Sequence, residues 1–141
     1  NFYRNSTIFF FQMIRRARPA VETDPRADGA LVTKALLRAA ARLELASKDL
    51  ARILGLSEAT VSRMSRGTYV LPPEQKPFEL ALLFVRLYRS LDSIAGGDVA
   101  VARTWLRAEN KALGGVPLAR IKNITGLVDT IAYLDARRAT V

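Results

Sequence analysis

Residues 47–67, SKDLARILGLSEATVSRMSRG, decide the fold. Read at helical period, Leu50, Ala51 and Leu54 form one short apolar face, Gly55-Leu56-Ser57 interrupts it, and Val61 and Met64 form a second. The string predicts a helix, a tight turn and another helix. Two helices that cross steeply need a small residue where their backbones approach and a residue tolerant of positive φ at the turn; Ala51 and Gly55 supply these. Ser47 and Ser57 stand where N-caps are wanted, each hydroxyl able to satisfy an orphan backbone N–H, and Gly67 marks a C-terminal stop.

On the second helix the residues expected to look outward are Glu58, Ala59, Thr60, Ser62, Arg63 and Arg66. A helix entering the major groove needs small residues for close approach, hydroxyls for base edges or phosphates, and a guanidinium for guanine or backbone. With Ser47 and Lys48 at the start of the first helix, these residues form the candidate DNA-contacting set. The alternative is an ordinary helical hairpin with a solvated face.

The same string resembles the helix-turn-helix of Xre-type, phage-repressor-like regulators, with the small residue at Ala51, the glycine at Gly55 and the branched aliphatic at Val61. Such proteins often carry glutamine near the start of the recognition helix. Here Glu58 stands there, a residue that a phosphate would repel and that could accept from a cytosine amine.

The whole chain has 141 residues, half of them apolar, which suffices for one ordinary domain or two small helical ones. No apolar run reaches the eighteen or so residues that a membrane span needs. A formal charge of +9, from 22 basic and 13 acidic residues, suits a polyanionic partner, although charge alone does not separate nucleic acid from an acidic protein. Without cysteine there is neither a disulfide framework nor a thiolate metal site, which fits a cytoplasmic location. Without histidine, Ser-His-Asp and Cys-His catalysis and imidazole ligation of zinc are excluded. No phosphate-cradling glycine motif is present, and no carboxylate pair stands in a recognisable catalytic context. No catalytic residue, metal or cofactor is therefore expected, and the chain reads as a non-enzyme.

Residues 1–12, NFYRNSTIFFFQ, lack helical or alternating polarity and read as sequence from an upstream start or an appended segment, with Met13 as an ordinary start; an aromatic docking arm is the alternative. Residues 15–28 are rich in proline and charge and predict an extended lead-in. From Gly29 to Leu45 an apolar stripe of Val32, Leu36, Ala40 and Leu43 predicts a helix that braces the next two. Residues 68–77, TYVLPPEQKP, hold three of the six prolines and mark the best candidate domain boundary. Beyond it, Leu80, Leu83, Phe84, Leu87, Leu91 and Ile94 define a strong amphipathic helix ending at Gly96-Gly97. Asp98 can cap a helix through Val99, Ala102, Trp105 and Leu106, expected to stop near Gly114-Gly115. Pro117 suits the first turn of a short helix, and Asn123 or Thr125 can cap a last one with Leu127, Val128, Ile131 and Leu134 on its face.

Helical spacing does not account for Trp105-Leu106, Asn110, the turn Leu113-Gly114-Gly115-x-Pro117-Leu118, and Thr125-Gly126-Leu127. Packing alone would explain them as turns and a close helix approach at Gly126. The string also resembles the toxin-binding domain of the MbcA/ParS/Xre antitoxins, with two departures: Glu109 replaces the proline beside the asparagine, and the Thr-Gly pair lacks its intervening residue.

That resemblance implies an antitoxin of a type II toxin–antitoxin pair whose cognate is a RES-domain toxin, an NAD-consuming enzyme. It further implies a homodimer formed through the C-terminal region, assembly into a larger complex with the toxin, and repression of its own operon through double-stranded operator DNA. The expected organisation is all-α: a non-core leader over 1–28, an Xre-like helix-turn-helix bundle over 29–71 and a helical dimerisation and toxin-binding domain over 72–141. An inhibitor of a dinucleotide cleft could offer Asp129, Asp135 or the Val141 carboxylate to basic donors there, or engage acidic rim residues through Arg137 and Arg138, with Leu134, Ala136 and Thr140 adding non-polar contact. A stand-alone regulator with a dimerising or ligand-sensing C-terminal half is the competing reading. RNA binding is weaker, since aromatic stacking strips are lacking.

Overall fold

The computed structural model describes residues 24–139, and among these it contains seven helices and no strand. The readings made for residues 1–12 and for Thr140 and Val141 lie outside the described residues.

Helix α1 spans Pro25–Arg42 and begins four residues sooner than predicted. Asp24 accepts from the Arg26 amide at 3.0 Å, and Pro25 takes the first helical position, where its missing N–H costs nothing. The lead-in predicted through Asp28 is thus partly helix, because the cap lies upstream of the apolar stripe from which the start was inferred. Glu44, with φ of 53°, then turns the chain in the left-handed region.

Helix α2, Ser47–Leu54, and helix α3, Glu58–Ser65, form the expected pair. Ala51 is buried and Gly55 has φ of 67°, as the steep crossing requires. Ser57 caps α3 by accepting from the Thr60 amide at 3.1 Å. The matching expectation for Ser47 is corrected. Ala46 is the N-cap residue of α2, and its carbonyl accepts from Asp49 and Leu50 at 3.0 Å, so Ser47 is already helical and makes no cap.

Helix α4, Lys76–Ile94, is the central element and packs against α1 and α2 on one side. On the other it lies along the last helix. Helix α5, Val99–Arg107, is capped by Asp98, which accepts from Ala100 and Val101 at 3.0 and 3.3 Å. It stops well before Gly114. Ala108 is extended, and Asn110 and Gly115 exchange two backbone hydrogen bonds of 2.9 and 3.1 Å, closing a loop where the helix was expected to continue. Helix α6, Pro117–Arg120, leads to α7, Ile124–Ala139, whose entry is fixed by Asn123 accepting from the Gly126 amide at 2.8 Å.

One apolar core runs through both halves, from Leu36, Leu54 and Val61 through Phe84 and Leu87 to Leu106, Ile121, Leu127 and Leu134. Burial of these side chains is the main force holding the helix-turn-helix against the C-terminal helices. Polar ties reinforce it. Thr33 donates to the Gly29 carbonyl at 2.7 Å and accepts from the Leu71 amide at 3.0 Å, and Lys122 pairs with Asp49 at 2.8 Å.

Candidate nucleic-acid and partner interfaces

Helix α3 presents Glu58, Ala59, Ser62, Arg63 and Arg66 to solvent, and Ser57 is exposed at its cap. Ser47 and Lys48 are exposed at the start of α2, beside Arg52. Thr60 departs from the outward face expected for it: it is 9 % exposed, and its hydroxyl bonds with Ser57 Oγ at 2.9 Å and accepts from Arg63 Nη2 at 2.9 Å. A position three residues past the cap turns back toward the first turn of its own helix, so Thr60 joins the capping network.

The basic groups of this face have no acidic partner, although Arg63 is bonded to the Thr60 hydroxyl. Lys48, Arg52, Arg63 and Arg66 form no ion pair with a carboxylate among the described residues. Beyond α3, Arg86, Arg103, Arg120 and Lys122 are each paired with an acid, whereas Arg89, Arg107, Lys111 and Arg138 form no ion pair among the described residues. Exposed cations without an acidic partner, beside small side chains, suit a phosphate backbone, which meets no competing carboxylate on them.

The C-terminal motif residues serve largely as architecture. Leu106 and Leu113 are buried, and Trp105 stacks on Tyr133 with ring centroids 6.2 Å apart. Asn110 closes the glycine turn and accepts from the Leu113 amide at 3.2 Å. Gly126 fits α7 against the end of α6, and a Cβ there would overlap the Arg120 carbonyl.

Two family models match the chain: the antitoxin Xre-like helix-turn-helix domain over residues 22–86 and the antitoxin Xre/MbcA/ParS C-terminal toxin-binding domain over residues 90–139. The chain belongs to the Xre-type antitoxins. A search of curated proteins gives no match. The antitoxin therefore joins a DNA-binding helix-turn-helix unit to a toxin-binding unit. Among the described residues, no helix is long and apolar enough to cross a membrane.

Within the toxin-binding unit the predicted contact residues fare differently. Leu134 is corrected: at 1 % exposure it belongs to the core between α4 and α7 and has no surface to offer a partner. Asp129 is exposed and pairs with Arg120 at 3.6 Å. Arg138 is exposed, and so is Arg137, which donates to the Tyr133 hydroxyl at 3.0 Å and lies over its ring. Asp135 is already engaged, accepting from Ser90 at 2.8 Å and from Arg86 at 2.6 Å. Those two donors, Ser90 first, hold its carboxyl below the ordinary carboxylate range. Around it Arg86, Arg89, Ser90 and Arg138 line an open depression of about 420 Å³.

Sequence reading missed Arg86, Arg89, Arg52 and Tyr69. Arg86 and Arg89 lie on the polar side of α4, and only the approach of α7 makes them neighbours of Asp135. Tyr69 sits in the proline-rich stretch read as a boundary, yet its ring lies 6.0 Å from the Arg63 guanidinium carbon. For the arginines the only signal was their basic charge on the polar sides of α2 and α4; Tyr69 offered none.

Proposed function

We propose that this antitoxin neutralises a RES-domain, NAD-consuming toxin by covering its active-site cleft, and represses its own operon by placing α3 in the major groove of operator DNA. Support for the DNA half comes from the unpaired Lys48, Arg52, Arg63 and Arg66 around α3. Ser47, Ser57, Glu58, Ala59 and Ser62 lie at the same surface as backbone or base contacts, while Thr60 acts from beneath them. A homodimer would set two α3 helices about 34 Å apart on a pseudopalindrome.

For the toxin half, the supporting feature is the charged end of α7. Asp135 with Arg86, Arg89 and Arg138 offers both signs of charge in one depression, and Asp129 and Arg137 are exposed elsewhere on the same helix, outside its lining. Thr140 and Val141, which lie outside the described residues, are proposed as further toxin contacts. Such a surface offers carboxylates to basic donors in a phosphate-binding cleft and guanidinium groups to acidic residues at its rim.

The test is co-expression with the neighbouring gene product in the cytoplasm, followed by sizing of the complex and measurement of NAD loss. Co-purification with NAD preserved is expected. An NAD level that falls as fast with the antitoxin as without it would overturn the toxin half, and a chain that leaves its own promoter unoccupied would overturn the DNA half.

A further inference from the structure

Arg63 does not project freely from α3. Its Nη2 donates to Thr60 Oγ1 at 2.9 Å, and Thr60 is itself held by Ser57, the cap of the helix. The guanidinium carbon also lies over the Tyr69 ring, 6.0 Å from its centroid. The backbone closes the arrangement: the Arg63 carbonyl accepts from Thr68 through its amide at 2.9 Å and its hydroxyl at 3.1 Å. Gly67, with φ of 77°, lets the chain double back so that residue 69 reaches residue 63.

We infer that Tyr69 is a positioning residue for base recognition, holding the Arg63 guanidinium oriented for a guanine edge. This rests on the reading of α3 as the DNA-reading helix. An unrestrained arginine must be ordered when it meets a base, and that ordering is subtracted from the binding free energy. The negative face of an aromatic ring attracts a guanidinium and restricts its plane, while one N–H is satisfied by Thr60. The other N–H donors of Arg63 have no partner among the described residues, so the bidentate fork that reads guanine stays available. The Tyr69 hydroxyl forms no hydrogen bond among the described residues, so the ring alone carries this contact.

The experiment uses the full chain and a duplex that it enriches from a random double-stranded pool, with a scrambled duplex as reference. Tyr69→Leu should weaken binding to the enriched duplex about two- to fivefold, the span of an exposed cation–π contact, and leave the scrambled duplex unaffected. Tyr69→Phe should bind as the unaltered chain does. Arg63→Ala should cost about five- to 150-fold, and adding Tyr69→Leu to it should cost nothing further. Circular dichroism and the melting midpoint establish that each variant is folded, with Tyr69→Met replacing the leucine variant if that one melts early.

Equal losses on both duplexes, additive losses in the double variant, or an unchanged specificity ratio would overturn the positioning role and leave α3 as the reader. Normal binding by Arg63→Ala, or failure to enrich any duplex, would overturn the reading of Arg63 itself and the positioning role with it.

Discussion

Arg107 is bonded to the far end of α1: its Nη2 donates to the carbonyls of Leu43 and Glu44 at 2.8 and 2.9 Å. Arg103, one turn earlier on α5, donates to the Arg42 carbonyl at 2.7 Å and pairs with the Glu44 carboxylate at 3.2 Å. The last carbonyls of a helix carry the negative end of its dipole and lack intrahelical donors. Two arginines from the toxin-binding unit therefore cap a helix of the DNA-binding unit.

Arg107→Ala should destabilise the protein by about 1.5–3 kcal/mol, the range for hydrogen bonds to a charged donor. Hydrogen exchange read residue by residue should show faster opening at 43–46, with little change within α7. Uniform loosening across the molecule would contradict this local account.

Gly126→Ala should be among the most damaging single-methyl additions. The added Cβ meets a backbone carbonyl, that of Arg120, which cannot rotate away as a side chain would. We expect a loss of about 1–3 kcal/mol or more by urea titration, as overpacking of a close contact gives. Thr130, which donates to the Gly126 carbonyl at 2.7 Å, would be disturbed with it.

Capping separates the two serines. Ser57→Ala should cost about 0.5–2 kcal/mol, since it removes the bond to the Thr60 amide. Ser47→Ala should cost almost nothing, because the N-cap residue is Ala46 and Ser47 makes no cap bond. Ala46→Ser should in turn stabilise the chain by about 0.5–1 kcal/mol. Thermal melts of the three variants decide the order.

Asp135 should give a pH-dependent contribution of defined sign. Its folded carboxyl lies below the ordinary value of 3.8, so the stabilisation is present above that value and is lost as pH falls through the folded pKa. Asp135→Asn should therefore be less stable than the unaltered chain at neutral pH, with the gap closing in strong acid. With a third of the side chain exposed, solvent screening keeps the gap small. Urea midpoints across the acid range test it.

Much of this was legible in the residues. The interrupted apolar faces at Leu50, Leu54, Val61 and Met64 announced α2 and α3, and Gly55 announced their turn. Gly126 beside Thr125 suggested a close approach, and the α6 end is what approaches. The end of α5 was misread because Ala112 and Leu113 continue a helix-compatible composition; the bond pair between Asn110 and Gly115 breaks it. Leu134 was counted for both core and surface, and the packing of α7 on α4 assigns it to the core.

From the sequence alone came the elements, their apolar stripes and the basic character of the face around α3, because periodicity and charge are properties of neighbouring residues. Tertiary structure decided the rest: that Thr60 turns inward, that Tyr69 lies over Arg63, and that Asp135 is held by Ser90 and Arg86. The last of these joins residues more than forty positions apart in the chain. Such partners are chosen by how whole helices pack, and no local pattern records that choice.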